Sequence, residues 1–174
     1  MKNLADEIPR RAFINAQIVQ RVRDSVAFQK AVSEVSGAYG IPEYEFENPA
    51  HVASLLYCLL VVPQQLFVKG TEPFWDNEVP PSAISDYFTV NKSKTHQKIL
   101  QKSSAFLRKL RNAVAHARFE IDGDLKFVFW DGDFQKGQLI VDFEVEASVV
   151  NLMRFLSDIG SKLANLQSSP SVVQ

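Results

Sequence analysis

The chain is poor in the groups that most often carry recognisable chemistry. One cysteine among 174 residues, Cys58, rules out an internal disulfide and a cysteine-based zinc site. The three histidines, at positions 51, 96 and 116, fall in different stretches, and no two have the H-x-x-x-H spacing of a helical metal site. A protein-bound metal or other cofactor is therefore not expected. Apolar runs are short. The longest, Leu55 to Val62, stops at Pro63 and cannot span a bilayer. The opening MKNLADEIPRR has no apolar segment of the secretory kind, so a soluble cytoplasmic protein with no membrane partner is expected. Net charge is also nearly absent, at −1, and gives no overall bias toward nucleic acid. No internal repeat or low-complexity segment appears.

Large apolar side chains, by contrast, are abundant. Thirteen phenylalanines against four tyrosines point to a core built on Phe, and the chain is long enough to bury one. From Phe13 to Val35, Ile18, Val19, Val22, Val26, Ala31, Val32 and Val35 trace the stripe of an amphipathic helix, ended by Gly37, Gly40 and Pro42. Asn48-Pro49 is a good N-cap followed by a first-turn proline, opening an all-round apolar helix. That helix should lie centrally, kink at Pro63 and end by Gly70. Residues 70 to 92, with Pro73, Pro80 and Pro81, read as a connection containing a short helix around Ser82 to Phe88.

A helix is expected from about Ser93 to Ala117, with Ile99, Leu100, Phe106, Leu107, Leu110, Ala113, Val114 and Ala117 as its core stripe. The period then changes to two. Phe119 and Ile121, a turn at Asp122-Gly123, the alternation Leu125, Phe127, Phe129, a turn at Asp131-Gly132, and Leu139, Val141, Phe143 make an antiparallel meander over about 118–143. A last amphipathic helix spans roughly Val145 to Leu166. We therefore expect one mainly α domain over 1–166, a helical bundle with the meander inserted before its C-terminal helix, and a frayed tail at 167–174.

Charge is asymmetric along the chain. From Asn91 to Arg118 there are eight basic residues, Lys92, Lys94, Lys98, Lys102, Arg108, Lys109, Arg111 and Arg118, and no acid. Phe119 to Glu146 carries eight acids against two lysines. On one continuous helix Lys94, Lys98, Lys102, Lys109, Asn112 and His116 fall within roughly an 80° arc. Such a face suits a phosphate backbone, with Lys102, Arg108, Lys109 and Arg118 as candidate RNA-phosphate contacts. The plainer alternative is a face whose charge is met by acids elsewhere in the fold.

Within LRKLRNAVAHARFEI, Arg111-Asn112-Ala113-Val114-Ala115-His116 resembles the R-x(4–6)-H signature of the HEPN superfamily, with the polar residue that often follows the arginine supplied by Asn112. The likeness covers the bundle from roughly Phe13 to Arg118. It implies a metal-independent endoribonuclease, of the kind found in toxin–antitoxin and phage-defence systems, with RNA and an antitoxin or other regulatory protein as partners. It further implies His116 as acid/base, Arg111 on the phosphate and Asn112 as a positioning group. The residue types suit that chemistry on their own terms. Histidine exchanges protons near neutrality, arginine's fork holds a phosphate, and an amide both donates and accepts. Arg111 and His116 are five apart, about 140° around a helix, so one straight helix does not bring them together. The family's arrangement is a homodimer whose two motifs form one composite cleft. Some HEPN toxins carry a tyrosine two residues after the histidine that a partner enzyme modifies; here that position is Arg118.

Alternatives stand beside this reading. Arg111 can reach from the edge of the core to solvent, and His116 can cap the helix end, where a cation is favoured. A non-catalytic HEPN-like module that binds RNA or a nucleotide, or scaffolds a partner, then becomes the second hypothesis. An unrelated bundle with a protein partner is the third. His51 and His96 read as packing, capping or exposed residues and Cys58 as a core residue. Trp75 and Trp130 read as packing groups in preference to base-stacking ones.

Overall fold

The structure, a computed structural model, describes residues 8–41, 44, 48–62, 72–122, 124 and 126–168. Pro63, Gly70, Gly123, Leu125 and residues 169–174 lie outside them, and with them the expected kink, helix stop and part of the tail.

Helices α1 (Ile8–Val22) and α2 (Val26–Ala38) replace the single helix expected over this stretch. Ser25 causes the break. Its extended backbone (φ −75°, ψ 141°) leaves the first helix, and its hydroxyl accepts from the Phe28 amide at 3.3 Å to begin the second. At α3 (Pro49–Leu56) the expected cap is present, with the Asn48 side chain accepting from the Ala50 and His51 amides at 2.9 and 3.1 Å. The helix widens into a π-helical segment, Tyr57–Val61, whose Leu59, Leu60 and Val61 are buried. Two short helices follow, α4 (Glu72–Glu78) and α5 (Pro81–Ile84), in the region read as a connection.

The expected long helix is two helices, α6 (Gln97–Leu100) and α7 (Ser103–Ala115), separated by an extended Lys102 (φ −136°, ψ 127°). Tertiary contacts impose the break. Upstream, Thr95 Oγ1 exchanges hydrogen bonds with the Glu144 backbone at 2.8 and 3.0 Å, and the His96 amide donates to the Asp142 carbonyl at 2.9 Å. Downstream, Asp76 of α4 accepts from the Ser104 amide at 2.8 Å and its hydroxyl at 3.0 Å, so a carboxylate from another helix caps α7. The basic arc drawn on one continuous helix therefore does not exist as a continuous face.

The strands are β1 (Thr89–Val90), β2 (Phe119–Ile121), β3 (Lys126–Gln135) and β4 (Gln138–Ser148), antiparallel in the order β1-β4-β3-β2. Asp131-Gly132 is not a turn: β3 runs straight through it, and the register shifts there because Asp142 is an extra, bulged residue on β4. A Cβ at Gly132 would overlap the Ile140 carbonyl, so only glycine permits this approach. The reversal comes at Lys136-Gly137, both at positive φ (49° and 82°), the conformation that suits a two-residue hairpin. Helix α8 (Val149–Ser168) closes the chain, and α1 packs against it.

The core lies between the inner face of the sheet and helices α3, α7 and α8, and phenylalanine does fill it. Phe106 meets Phe88 and Phe143 edge-to-face at 5.2 and 5.3 Å, and Phe88 meets Phe155 at 5.0 Å. The architecture is mainly α, a helical bundle carrying a small antiparallel sheet ahead of its C-terminal helix.

Candidate functional site

Helix α7 is the element on which the motif stands. Ser103, Phe106, Leu107, Leu110, Ala113 and Val114 are buried and fix its rotation. Two flanks border that stripe. Ser104 and Arg111, seven residues apart, share the flank turned to α4, as the Ser104–Asp76 bonds show. Lys109 and Asn112 share the opposite flank and reach β3.

The helix ends without glycine. Ala117 takes a left-handed conformation (φ 51°), the Arg118 amide donates to the Ala113 carbonyl at 2.8 Å, and the Ala117 amide donates to that of Val114 at 3.1 Å. This is the paired closure usually built on glycine, and it makes His116 the C-cap residue with its side chain exposed. Arg111 is half-buried. Its Nε is sealed from solvent and has no hydrogen-bond acceptor among the described residues. Arg111 and His116 thus remain on different flanks of one helix and do not meet within the protomer.

Asp131 organises the other flank, and sequence reading did not single it out. It is 2 % exposed, on the inward face of β3 with Phe127 and Phe129 and against the end of α7. Its carboxylate accepts from Asn112 Nδ2 at 3.2 Å, pairs with Arg118, and has Lys109 Nζ at 3.4 Å. Lys109 also pairs with Asp142 at 2.7 Å. One buried acid so ties together the residue after Arg111, the residue two beyond His116, and a lysine between α7 and β4. Asn112 is thereby held in place by protein. Lys109 and Arg118 are engaged by carboxylates, and Lys94 pairs with Glu144 at 2.7 Å. Three of the eight basic residues are thus met by acids of the sheet, Glu144, Asp142 and Asp131. Lys92, Lys98, Lys102 and Arg108 are exposed, with no carboxylate partner among the described residues.

The remaining candidates have structural surroundings. Trp75 is buried beside Phe74, with ring centroids 5.0 Å apart, and Trp130 is half-buried on the outer face of the sheet. His96 is the exposed N-cap of α6, and His51 is half-buried in the first turn of α3. Cys58 is half-buried in the π-helical segment, and desolvation raises its thiol pKa, which disfavours the reactive thiolate. Among the described residues, no group of three or more His, Cys, Asp or Glu is arranged to hold a metal ion. No described helix is long and apolar enough to cross a membrane.

A helical bundle with R-x(4)-H closing a core helix and a polar residue after the arginine fits a HEPN-type domain, here with a short sheet before the last helix. More narrowly, the model of the family described as HEPN pEK499 p136 matches residues 1–169, and the chain belongs to that family. Searches of curated proteins and of solved structures gave no significant match.

Proposed function

We propose that this chain is a metal-independent endoribonuclease that works as a C2 homodimer, with Arg111, Asn112 and His116 of both copies lining one cleft. The state of Arg111 carries the reading. A guanidinium whose Nε is enclosed without an acceptor is a fixed cation lacking its fixed anion, and a phosphate supplies one. His116 is exposed and able to reach a substrate. The two lie on opposite flanks of α7, and a second copy related by a two-fold axis brings one protomer's Arg111 toward its partner's His116.

In this reaction the ribose 2′-oxygen attacks the adjacent phosphorus while the bond to the 5′-oxygen breaks. His116 of one copy, facing Arg111 of the other, removes the 2′-hydroxyl proton, and water protonates the departing 5′-oxygen. The two-fold axis gives two such Arg–His pairings. Arg111 holds the phosphoryl oxygens as charge builds on them. The products are a 2′,3′-cyclic phosphate and a 5′-hydroxyl. Asn112, held by Asp131, acts as a positioning group for the last turn of α7. Exposed Lys102 and Arg108 serve the flanking phosphates. Lys109 and Arg118, spent on Asp131 and Asp142, shape the site rather than attract RNA.

The pairing of Lys94, Lys109 and Arg118 with acids of the sheet favours a second reading, a HEPN-like module that binds or scaffolds without cutting. Incubating the protein with labelled total RNA and transfer RNA in EDTA, beside His116→Ala, separates the two. Cleavage that survives EDTA, disappears in the variant and leaves cyclic-phosphate ends is the expected result. A folded wild type that leaves all RNA intact would move the assignment to the second reading.

A further inference from the structure

Beyond the bulge, β3 and β4 continue as a hairpin past the core. Phe134 stands on it opposite Leu139 and is 66 % exposed. A single exposed phenylalanine is ordinary on a protein surface. This one differs in what lies against it. The Arg118 guanidinium is stacked over the ring, 5.5 Å from its centroid, and that guanidinium is held by buried Asp131. One face of the ring is therefore covered by an anchored cation, while the exposure of the residue leaves ring surface open to solvent.

The same carboxylate that holds Arg118 holds Asn112, and Arg118 follows His116 by two residues. Phe134 is thus coupled to the end of α7 through one buried acid and one arginine. A half-covered aromatic, held by a cation two residues beyond His116, has the make-up of a stacking surface for a base. Paired bases within a duplex do not present their faces. We propose that Phe134, through its contact with Arg118, is a nucleobase platform that takes an unpaired base flanking the cleaved phosphate. This inference rests on the ribonuclease reading given above, which fixes the ligand class.

The test is a binding measurement, so that it can fail separately from the cleavage assay. A labelled single-stranded 2′-O-methyl RNA hexamer cannot supply the attacking hydroxyl, and its affinity for the full chain is read by fluorescence anisotropy. Phe134→Ala should bind about 5- to 150-fold more weakly, the range expected for one lost base stack. Phe134→Tyr should bind like the wild type. The slope of affinity against salt should be the same in all three, because no phosphate contact changes. Melting temperature should be unchanged in Phe134→Ala, since the side chain is largely outside the core. Equal affinity of Phe134→Ala and wild type would overturn the proposal, as would a wild type that binds no single strand or prefers a duplex of the same length. A shift of Phe134→Ala from dimer to monomer in sedimentation would also overturn it, by making the ring a subunit contact. Loss of EDTA-resistant cleavage alone bears on the ribonuclease reading and leaves this affinity comparison intact.

Discussion

Replacing Asp131 by asparagine keeps the shape of the side chain and removes its charge. In the native protein that charge is 2 % exposed and faces Arg118, Asn112 and Lys109. After the change, Arg118 is left with the Phe134 ring, while Lys109 retains Asp142 at 2.7 Å. Removing one member of a buried ion pair costs about 3–5 kcal/mol, because the other charge stays desolvated. Lys109 keeps a partner, and the Lys109 and Arg118 side chains are 12 % and 18 % exposed, so the lower end applies, about 3 kcal/mol. For a chain of this size that lowers the melting temperature by roughly 6–12 °C. Urea unfolding at neutral pH measures the difference, read from midpoints at equal m-value. A cycle with Arg118→Gln should give non-additivity of at least about 1 kcal/mol. Because the group is buried, 0.5 M NaCl should change the loss little. Asp131→Asn within about 0.5 kcal/mol of wild type, or strict additivity with Arg118→Gln, would refute the view that this acid organises the end of α7.

Three further predictions concern local structure. Ala117 holds a left-handed backbone at φ 51°, so Ala117→Gly should stabilise the protein by about 1 kcal/mol in the same urea experiment. At Gly160 of α8 a Cβ would overlap the Phe13 ring of α1, so Gly160→Ala should destabilise by about 1–3 kcal/mol despite alanine's better helix propensity, and adding Phe13→Leu should recover part of the loss. The Tyr87 hydroxyl donates to Asp158, and this bond, with burial and the carboxylate's charge, pushes its pKa up to about 12. A folded value above the unfolded one of about 10 gives stability that is whole below pH 10 and lost as pH rises through 12. Ultraviolet absorbance should show a tyrosine with a midpoint near 12 that falls toward 10 in Asp158→Asn.

Local signals in the chain were enough for several elements. Asn48-Pro49 announced α3 through capping chemistry alone, and the change of period after Ala117 announced the sheet. The R-N-x-x-x-H spacing at the end of an apolar stripe located Arg111 and His116 at the end of a core helix. What could not be read was set by distant partners. The break at Lys102 depends on Asp76 and on the Glu144 backbone, 28 and 49 residues from the groups they hold. At Ser25, a capping serine followed by a valine-rich stripe was masked by a period that runs nearly unbroken through it. Asp131-Gly132 has the composition of a turn, and only its pairing with Phe143 and Val141 across the bulge at Asp142 makes it part of a strand. Because β3 continues where a turn was expected, Phe134 falls on the outer face with Val128 and Trp130 and stays exposed, which a count of alternating positions through a turn does not anticipate. The charge asymmetry was legible, but its use was not, because Lys94, Lys109 and Arg118 meet acids 50, 33 and 13 residues away.

The central claim is a composite site built from Arg111 of one copy and His116 of the other. Subunit mixing tests it most directly. Arg111→Ala and His116→Ala, each folded and each inactive alone, are unfolded together, refolded and assayed on RNA in EDTA. In a mixed dimer one of the two Arg–His pairings is intact, and random pairing makes half the dimers mixed, so activity should return to roughly a quarter of wild type. A mixture as inactive as its components, with mixed dimers shown to be present, would contradict a site shared between subunits.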